Sequence, residues 1–215
     1  MKNFTNDWKV FLSDKKNSLS FFLALSWVVA LLFSFGPFFN MIEHRHGTRL
    51  NDFILSKIPV YDLSWVIFSI MYFVVFAGFF YALTIPKLLS KALLAYAILT
   101  TLRLITIYLV NLDPPAGIIP LKDPFFALVL APKEIVNKDL FFSGHTSTVF
   151  LFAFMIPHSL LKKIFYAFCI LIPAMVLVQH VHYTIDVVLA PFFSYYAYKI
   201  AFYKKENTEK INSIN

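Results

Sequence analysis

The strongest constraint on this chain is a succession of apolar runs, each 16 to 24 residues long, separated by more polar stretches. A helix needs about 20 predominantly apolar residues to cross the hydrocarbon of a bilayer. In that medium the backbone must satisfy its own hydrogen bonds, which a helix does within one segment. The runs therefore predict an all-α fold, a six-span transmembrane helical bundle. The spans are read at Ser18–Phe39, Leu63–Thr84, Leu88–Asn111, Ser143–His158, Ile164–Val181 and Thr184–Phe202. A hydrophobic share of 59% agrees, since soluble domains lie nearer half. Pro157 and Pro173 interrupt the fourth and fifth spans, as membrane helices allow where neighbours take up the freed carbonyl.

Three regions follow. Residues 1–17 are polar and lysine-bearing with Trp8, Val10, Phe11 and Leu12 among them, and read as a cytoplasmic or interfacial helix. Residues 18–203 hold the bundle, and residues 204–215 form a polar cytoplasmic tail. Six spans put both termini on one side. Of the 19 basic residues, 12 then fall on the side of the termini and 6 on the other, with Arg103 inside a span. The positive-inside bias makes the termini cytoplasmic. The protein is then a multi-pass protein of the cell membrane whose long loop, from Leu112 to Phe142, faces outward. Basic residues scattered at span ends also speak for anionic lipid rather than nucleic acid as the origin of the net charge of +7. Cys169, the only cysteine, lies in an apolar run, so no internal disulfide forms.

Ionisable groups are costly in lipid and default to a functional reading. His182 and Asp186 are four residues apart, a spacing that places them on one helix face, where the carboxylate can hold one imidazole tautomer. The other ring nitrogen is then free as nucleophile or base. The structural alternative is an interfacial histidine beside a capping aspartate. Ser143-Gly144-His145-Thr146 opens the fourth run. Ser143 reads as an N-cap, and the amides that follow as an anion site. His145 can protonate a leaving oxygen; plain capping with an incidental histidine is the alternative. Arg103 lies about 12 Å of helix before the outer end of its span. It keeps its charge and needs an anion, either a phosphate or a carboxylate such as Asp113 or Asp186. Together these groups describe phosphoryl transfer by covalent histidine catalysis. No phosphate-binding glycine loop and no carboxylate cluster for magnesium is visible, so neither cofactor nor metal is expected. His44 and His46 flank Arg45 and read as surface polarity, and Glu43, Asp52, Lys57 and Asp62 as a solvated outer face. The proline-rich stretch Asp113 to Pro124 reads as a lid or lateral wall of a lipid entrance.

Asp139-x-x-Phe142-Ser143-Gly144-His145-Thr146, His180-x-His182-Tyr183-Thr184-x-Asp186 and Arg103-x-x-Thr106-Ile107-Tyr108 resemble three motifs of the sphingomyelin synthase branch of the type-2 phosphatidic acid phosphatase superfamily. The resemblance covers roughly Leu102 to Pro191. It implies a six-span bundle with His145, His182 and Asp186 as catalytic triad. Arg103, Ser143, Gly144, Thr146 and Tyr183 would hold the phosphate or headgroup, with Asp139, His180 and Tyr108 as secondary candidates. It also implies transfer of a phosphorylated headgroup from a phospholipid donor to a lipid-alcohol acceptor, ceramide or diacylglycerol, through a phosphohistidine. The phosphatase branch's Lys-x6-Arg-Pro pattern is absent, and Val176 stands where that branch has arginine. The synthase branch has His-Asp-His where this chain has His180-Val181-His182, and a proline where it has Asp113. The rival readings are a hydrolase of the same superfamily with water as acceptor, and a non-enzymatic membrane protein.

Overall fold

The computed structural model describes residues 4–121 and 136–203. Among these, the chain forms seven α-helices: α1 (Phe4–Ser13), α2 (Lys15–Glu43), α3 (Ser64–Leu83), α4 (Pro86–Leu109), α5 (Gly144–Met155), α6 (Ser159–Val178) and α7 (Thr184–Phe202). No strand occurs among the described residues; Thr48 and Leu112 form one isolated parallel bridge. The polar tail from Lys204, the first three residues, Lys133 and the Lys122–Pro124 end of the proline-rich stretch lie outside the described residues.

Local chemistry sets the helix limits. Asp14 closes the gap between α1 and α2 by accepting the Asn17 amide at 2.8 Å, an N-cap interaction. Pro86 opens α4 at a position where its missing N–H costs nothing. Pro157 follows the end of α5, so the fourth apolar run yields a helix of only 12 residues. His158 then caps α6 through Nδ1, which accepts from Leu161 N at 3.4 Å.

Four helices, α2, α3, α4 and α6, are long and apolar enough to cross a membrane. The six spans read from the sequence thus divide into four of that kind and two of another. Helix α5 is about 18 Å long, short of the ~30 Å hydrocarbon core. Helix α7 carries Thr184, Asp186, Ser194 and Lys199 along its 19 residues. These two helices form the centre. α5 packs on α3, α4, α6 and α7, and α7 packs on α4, α5 and α6. Val149, Leu151, Ala153, Ala190 and Ala197 are fully buried there. Ser194 Oγ donates within the seam to Ser147 O and Ala190 O, both at 2.8 Å. No residue of α5 is exposed, so that helix needs no lipid-compatible surface of its own, whereas α7 buries one face here and exposes Ile185, Val188 and Phe192 on the other. α2 is peripheral and packs on α1 and α4; it forms no comparable seam with α3.

The connections at the far end of α2 gather into one cap. Asp113 N donates to Thr48 O at 3.1 Å and Thr48 N to Asn111 O at 3.0 Å. A Cβ on Gly47 would overlap the Leu112 and Asp113 backbone, so only glycine admits this approach. The buried Gln179 donates to Ser64 Oγ (2.7 Å) and Ile119 O (3.0 Å) and accepts from Leu63 N (3.0 Å). One side chain thereby ties the ends of α3 and α6 to the loop before residue 122.

Candidate active site

Helix α6 ends in a left-handed turn. His180 takes φ 55°, where glycine is usual. Val181 N donates back to Val176 O at 3.1 Å, the bond that closes such a C-cap. The His180 ring lies between two carbonyls, with Nδ1 3.1 Å from Ala116 O and Nε2 2.9 Å from Ile58 O. It is thus a clamp between two loops. The turn it stabilises delivers His182 two residues later.

His182 sits just before α7 rather than on its face, so the helical spacing argument for the His182–Asp186 pair does not describe how they meet. Tyr183 is the N-cap and Asp186 the third residue of the helix. The Asp186 carboxylate curls back through Oδ2 to accept Tyr183 N at 2.9 Å, and the same oxygen is 3.5 Å from His182 Nδ1. That is an ion-pair distance, longer than a formed hydrogen bond. Both side chains are buried.

His145 enters from the first turn of α5. Ser143 caps that helix, its Oγ accepting from Thr146 N at 3.4 Å. The same residue donates its N–H to Asp186 O at 3.1 Å, which locks the two motifs together through backbone. The His145 and His182 rings meet edge to face, with centroids 6.2 Å apart and an interplanar angle of 62°. Both line a cavity of about 130 Å³ together with Asp139, Asn137, Phe39 and Phe68.

Arg103 lies six residues before the end of α4, about 9 Å of helix and so nearer the mouth than its predicted depth. Its Nε donates to Phe142 O at 3.2 Å, and its Nη2 pairs with Asp139. The carboxylate partner is therefore Asp139 and neither Asp113 nor Asp186. The guanidinium lies flat on Gly144, where an added Cβ would collide with it. Gly144 thus holds the place of a side chain so that Arg103 can reach the start of α5.

The other sequence candidates fall elsewhere. Tyr183 is buried, its hydroxyl donating to Asp113 O at 2.8 Å and accepting from Leu50 N at 3.2 Å; it anchors the cap and does not line the cavity. Tyr108 is exposed, with the Arg45 guanidinium 4.8 Å above its ring. Thr146 is buried behind His145, and among the described residues its Oγ1 has no hydrogen-bond partner. Asp113 pairs with Lys138 at 2.9 Å, and the Lys138 ammonium holds its carboxyl below the usual range.

Two groups read as solvated surface turn out to build the site. Asp52 accepts Thr184 N at 2.6 Å, Thr184 Oγ1 at 3.0 Å, Leu55 N at 3.0 Å and Ile54 N at 3.1 Å. It thereby caps α7 from a distant loop. Burial pushes its carboxyl up, and these donors outweigh that and hold it below its ordinary value. Glu43 accepts the amides of Asn137 and Lys138, both at 2.6 Å, fixing the strip that carries Asp139. Neither contact leaves a local sequence signal, because the partners are 94 and 132 residues away.

Residues 138–204, just under a third of the chain, match the family described as PAP2 superfamily C-terminal. The matched stretch contains His145, His182 and Asp186, while Arg103 lies outside it. The match supports the type-2 phosphatidic acid phosphatase superfamily, whose members are enzymes acting on phosphoryl groups. No curated protein matches the chain.

Proposed function

We propose that this chain is a membrane lipid phosphotransferase of the sphingomyelin synthase-like kind. It moves a phosphorylated headgroup from a glycerophospholipid donor to a lipid alcohol, ceramide or diacylglycerol. The observation that carries this reading is the pair of histidines facing one cavity at 6.2 Å between ring centroids, one of them backed by a buried carboxylate. A phosphorus centre between the two rings has a nucleophile on one side and a proton donor on the other.

In the first step His182 Nε2 forms a bond to phosphorus as the bond from phosphorus to the diacylglycerol oxygen breaks. The electron pair leaves on that oxygen, which takes its proton from His145. Asp186 holds the Nδ1 proton of His182 and stabilises the charged ring. In the second step the hydroxyl oxygen of the acceptor bonds to phosphorus, its proton returns to His145, and the pair of the N–P bond returns to His182. Arg103 exchanges Asp139 for the phosphoryl oxygens, a bidentate partner of the same shape. The amides at the start of α5 add electrostatic stabilisation.

The helical bundle then has six membrane-embedded segments, with termini in the cytoplasm and the cavity open to the outer leaflet. The two-to-one charge bias supports that orientation. The hydrolase reading differs only in the second acceptor, and the family match favours it equally.

The test is a product assay on purified protein in liposomes. Phosphatidylcholine, phosphatidylethanolamine or phosphatidylinositol is the donor, with and without ceramide or diacylglycerol. The expected result is a new phospholipid that depends on added alcohol and falls at least about 10³-fold in His182→Ala. Free phosphorylated headgroup with no new lipid would make the enzyme a hydrolase. Full turnover in His182→Ala would sink both readings.

A further inference from the structure

One face of α3 carries an aromatic ladder. Phe68, Tyr72, Phe76 and Phe80 recur at four-residue spacing. Successive centroids are 6.2, 6.2 and 6.5 Å apart, with interplanar angles of 26°, 33° and 27°. Such spacing stacks side chains along one helix face. The ladder's two ends differ. Phe68 is 5% exposed, whereas Phe76 and Phe80 are 50% and 61% exposed on a helix apolar enough to cross a membrane. From Phe68 to Phe80 the rise is about 18 Å, close to the half-thickness (about 15 Å) of a bilayer's hydrocarbon.

The buried end of the ladder is a wall shared by two spaces. On one side Phe68 lines the cavity that holds His145 and His182. On the other it lines a groove of about 480 Å³ with Trp65, Ser69, Tyr72 and Ile119. Its ring meets His145 edge-on at 6.2 Å and 66°. α2 forms no packed seam with α3. Aromatics on a membrane helix need no special purpose, and Phe73 shows the ordinary case by packing on Phe168 of α6. The ladder is distinguished by where it ends, on the histidine that handles the alcohol's proton.

We propose that this face of α3 seats the hydrocarbon chain of the lipid alcohol, and that the Phe68 ring is the gate between that seat and the phosphoryl cavity. The inference rests on the phosphotransferase reading above. The diacylglycerol that leaves in the first step and the alcohol that attacks in the second both exchange a proton with His145, so one seat serves both. An apolar ring across the passage admits an alcohol led in by its chain and holds back bulk water, which has no such handle. The ring is therefore a specificity-determining element that sets the partition of the phosphohistidine between lipid alcohol and water.

The experiment has two parts. First, wild-type protein in liposomes is photolabelled with diacylglycerol bearing a diazirine in its chain, and labelled peptides are mapped by mass spectrometry. Label concentrated on 72–80 of α3 and displaced by unlabelled diacylglycerol is expected. Label spread evenly over the lipid-facing helices, or not displaced, overturns the seat. Second, turnover is partitioned between new phospholipid and released headgroup. Phe68→Ala is expected to raise the hydrolytic share about tenfold, the scale of a lost apolar contact, with Phe68→Leu intermediate. Phe76→Ala, at an exposed position that folding does not depend on, is expected to raise the KM for the alcohol and that for the donor about tenfold alike, since one seat serves both. An unchanged partition in Phe68→Ala together with an unchanged alcohol KM in Phe76→Ala overturns the gate. A wild type without phosphoryl turnover removes the phosphotransferase reading, while the labelling still decides whether the seat exists.

Discussion

At the end of the bundle where α2 begins, the chain is held by rings; at the end where α5 and α7 begin, it is held by directed polar bonds. The first end packs Trp8, Phe11 and Phe21 edge to face, with centroids 5.4 to 6.3 Å apart, and adds one bond from Trp8 Nε1 to Leu83 O at 3.0 Å. The second buries and hydrogen-bonds Gln179, His180 and Asp186, together with the Ser143 cap. Apolar packing tolerates small shifts, since each contact is weak and non-directional. Buried polar groups do not, because each lost partner leaves a desolvated atom. The site end is therefore the end at which position is specified most tightly, which is what the proposed phosphoryl chemistry between two rings would need.

Breaking the site end at its carboxylate has the largest expected effect short of removing His182 itself. Asp186→Asn keeps a side chain able to cap Tyr183 N, but presents the wrong group to His182 Nδ1. Turnover is expected to fall on the order of 10³–10⁴-fold, with thermal stability changed by less than about 1 kcal/mol. A loss of stability that parallels the loss of rate would instead mean that Asp186 is chiefly structural. Gly144→Ala comes next. The methyl overlaps the Arg103 guanidinium, so Arg103 must move or α5 must. A cost of about 1–3 kcal/mol and a fall in kcat/KM of about 10²-fold are expected, read by denaturation and kinetics on the same preparation.

Asp52 tests whether a loop far in sequence holds the start of α7. Removing this cap in Asp52→Ala is expected to cost about 1–2 kcal/mol. Its carboxyl is held below the ordinary value in the folded protein, so its contribution is fully present above the unfolded value of ~3.9 and lost as pH falls through the lower folded value. The stability gap between wild type and variant should therefore close in acid, and a gap constant down to pH 3 would contradict the assignment. The smallest effect belongs to the ring-held end. Trp8→Phe keeps most of the aromatic packing and loses one hydrogen bond worth about 1 kcal/mol. Turnover should not change; a large fall would show that the two ends are coupled.

Helix content was readable from the sequence because hydrophobic length and proline are local signals. They locate α3 and α4 closely, and a short helix ahead of residue 18. Ser143 as a cap was legible for the same reason. The motif residues His145, His182, Arg103 and Asp139 carry a joint signal, and the structure brings them to one mouth of the bundle. The His182–Asp186 pair was found through a spacing that does not apply, since His182 lies outside α7. The pair meets because the carboxylate folds back over its own N-terminus. Tyr108, Tyr183 and His180 share motifs with these residues, yet point to the surface, the cap and a loop clamp.

From sequence alone, this chain is a helical membrane protein with histidines and a carboxylate at the ends of apolar runs, because periodicity and the cost of charge in lipid act over a few residues at a time. Tertiary structure alone decided that α5 and α7, the two helices that length and composition do not mark as spans, stand at the centre, that Arg103 chooses Asp139, and that Asp52, Glu43 and Gln179 hold the site in place. Those choices depend on which atoms meet across 36 to 132 residues of chain, and no local pattern records which partner a polar group will find.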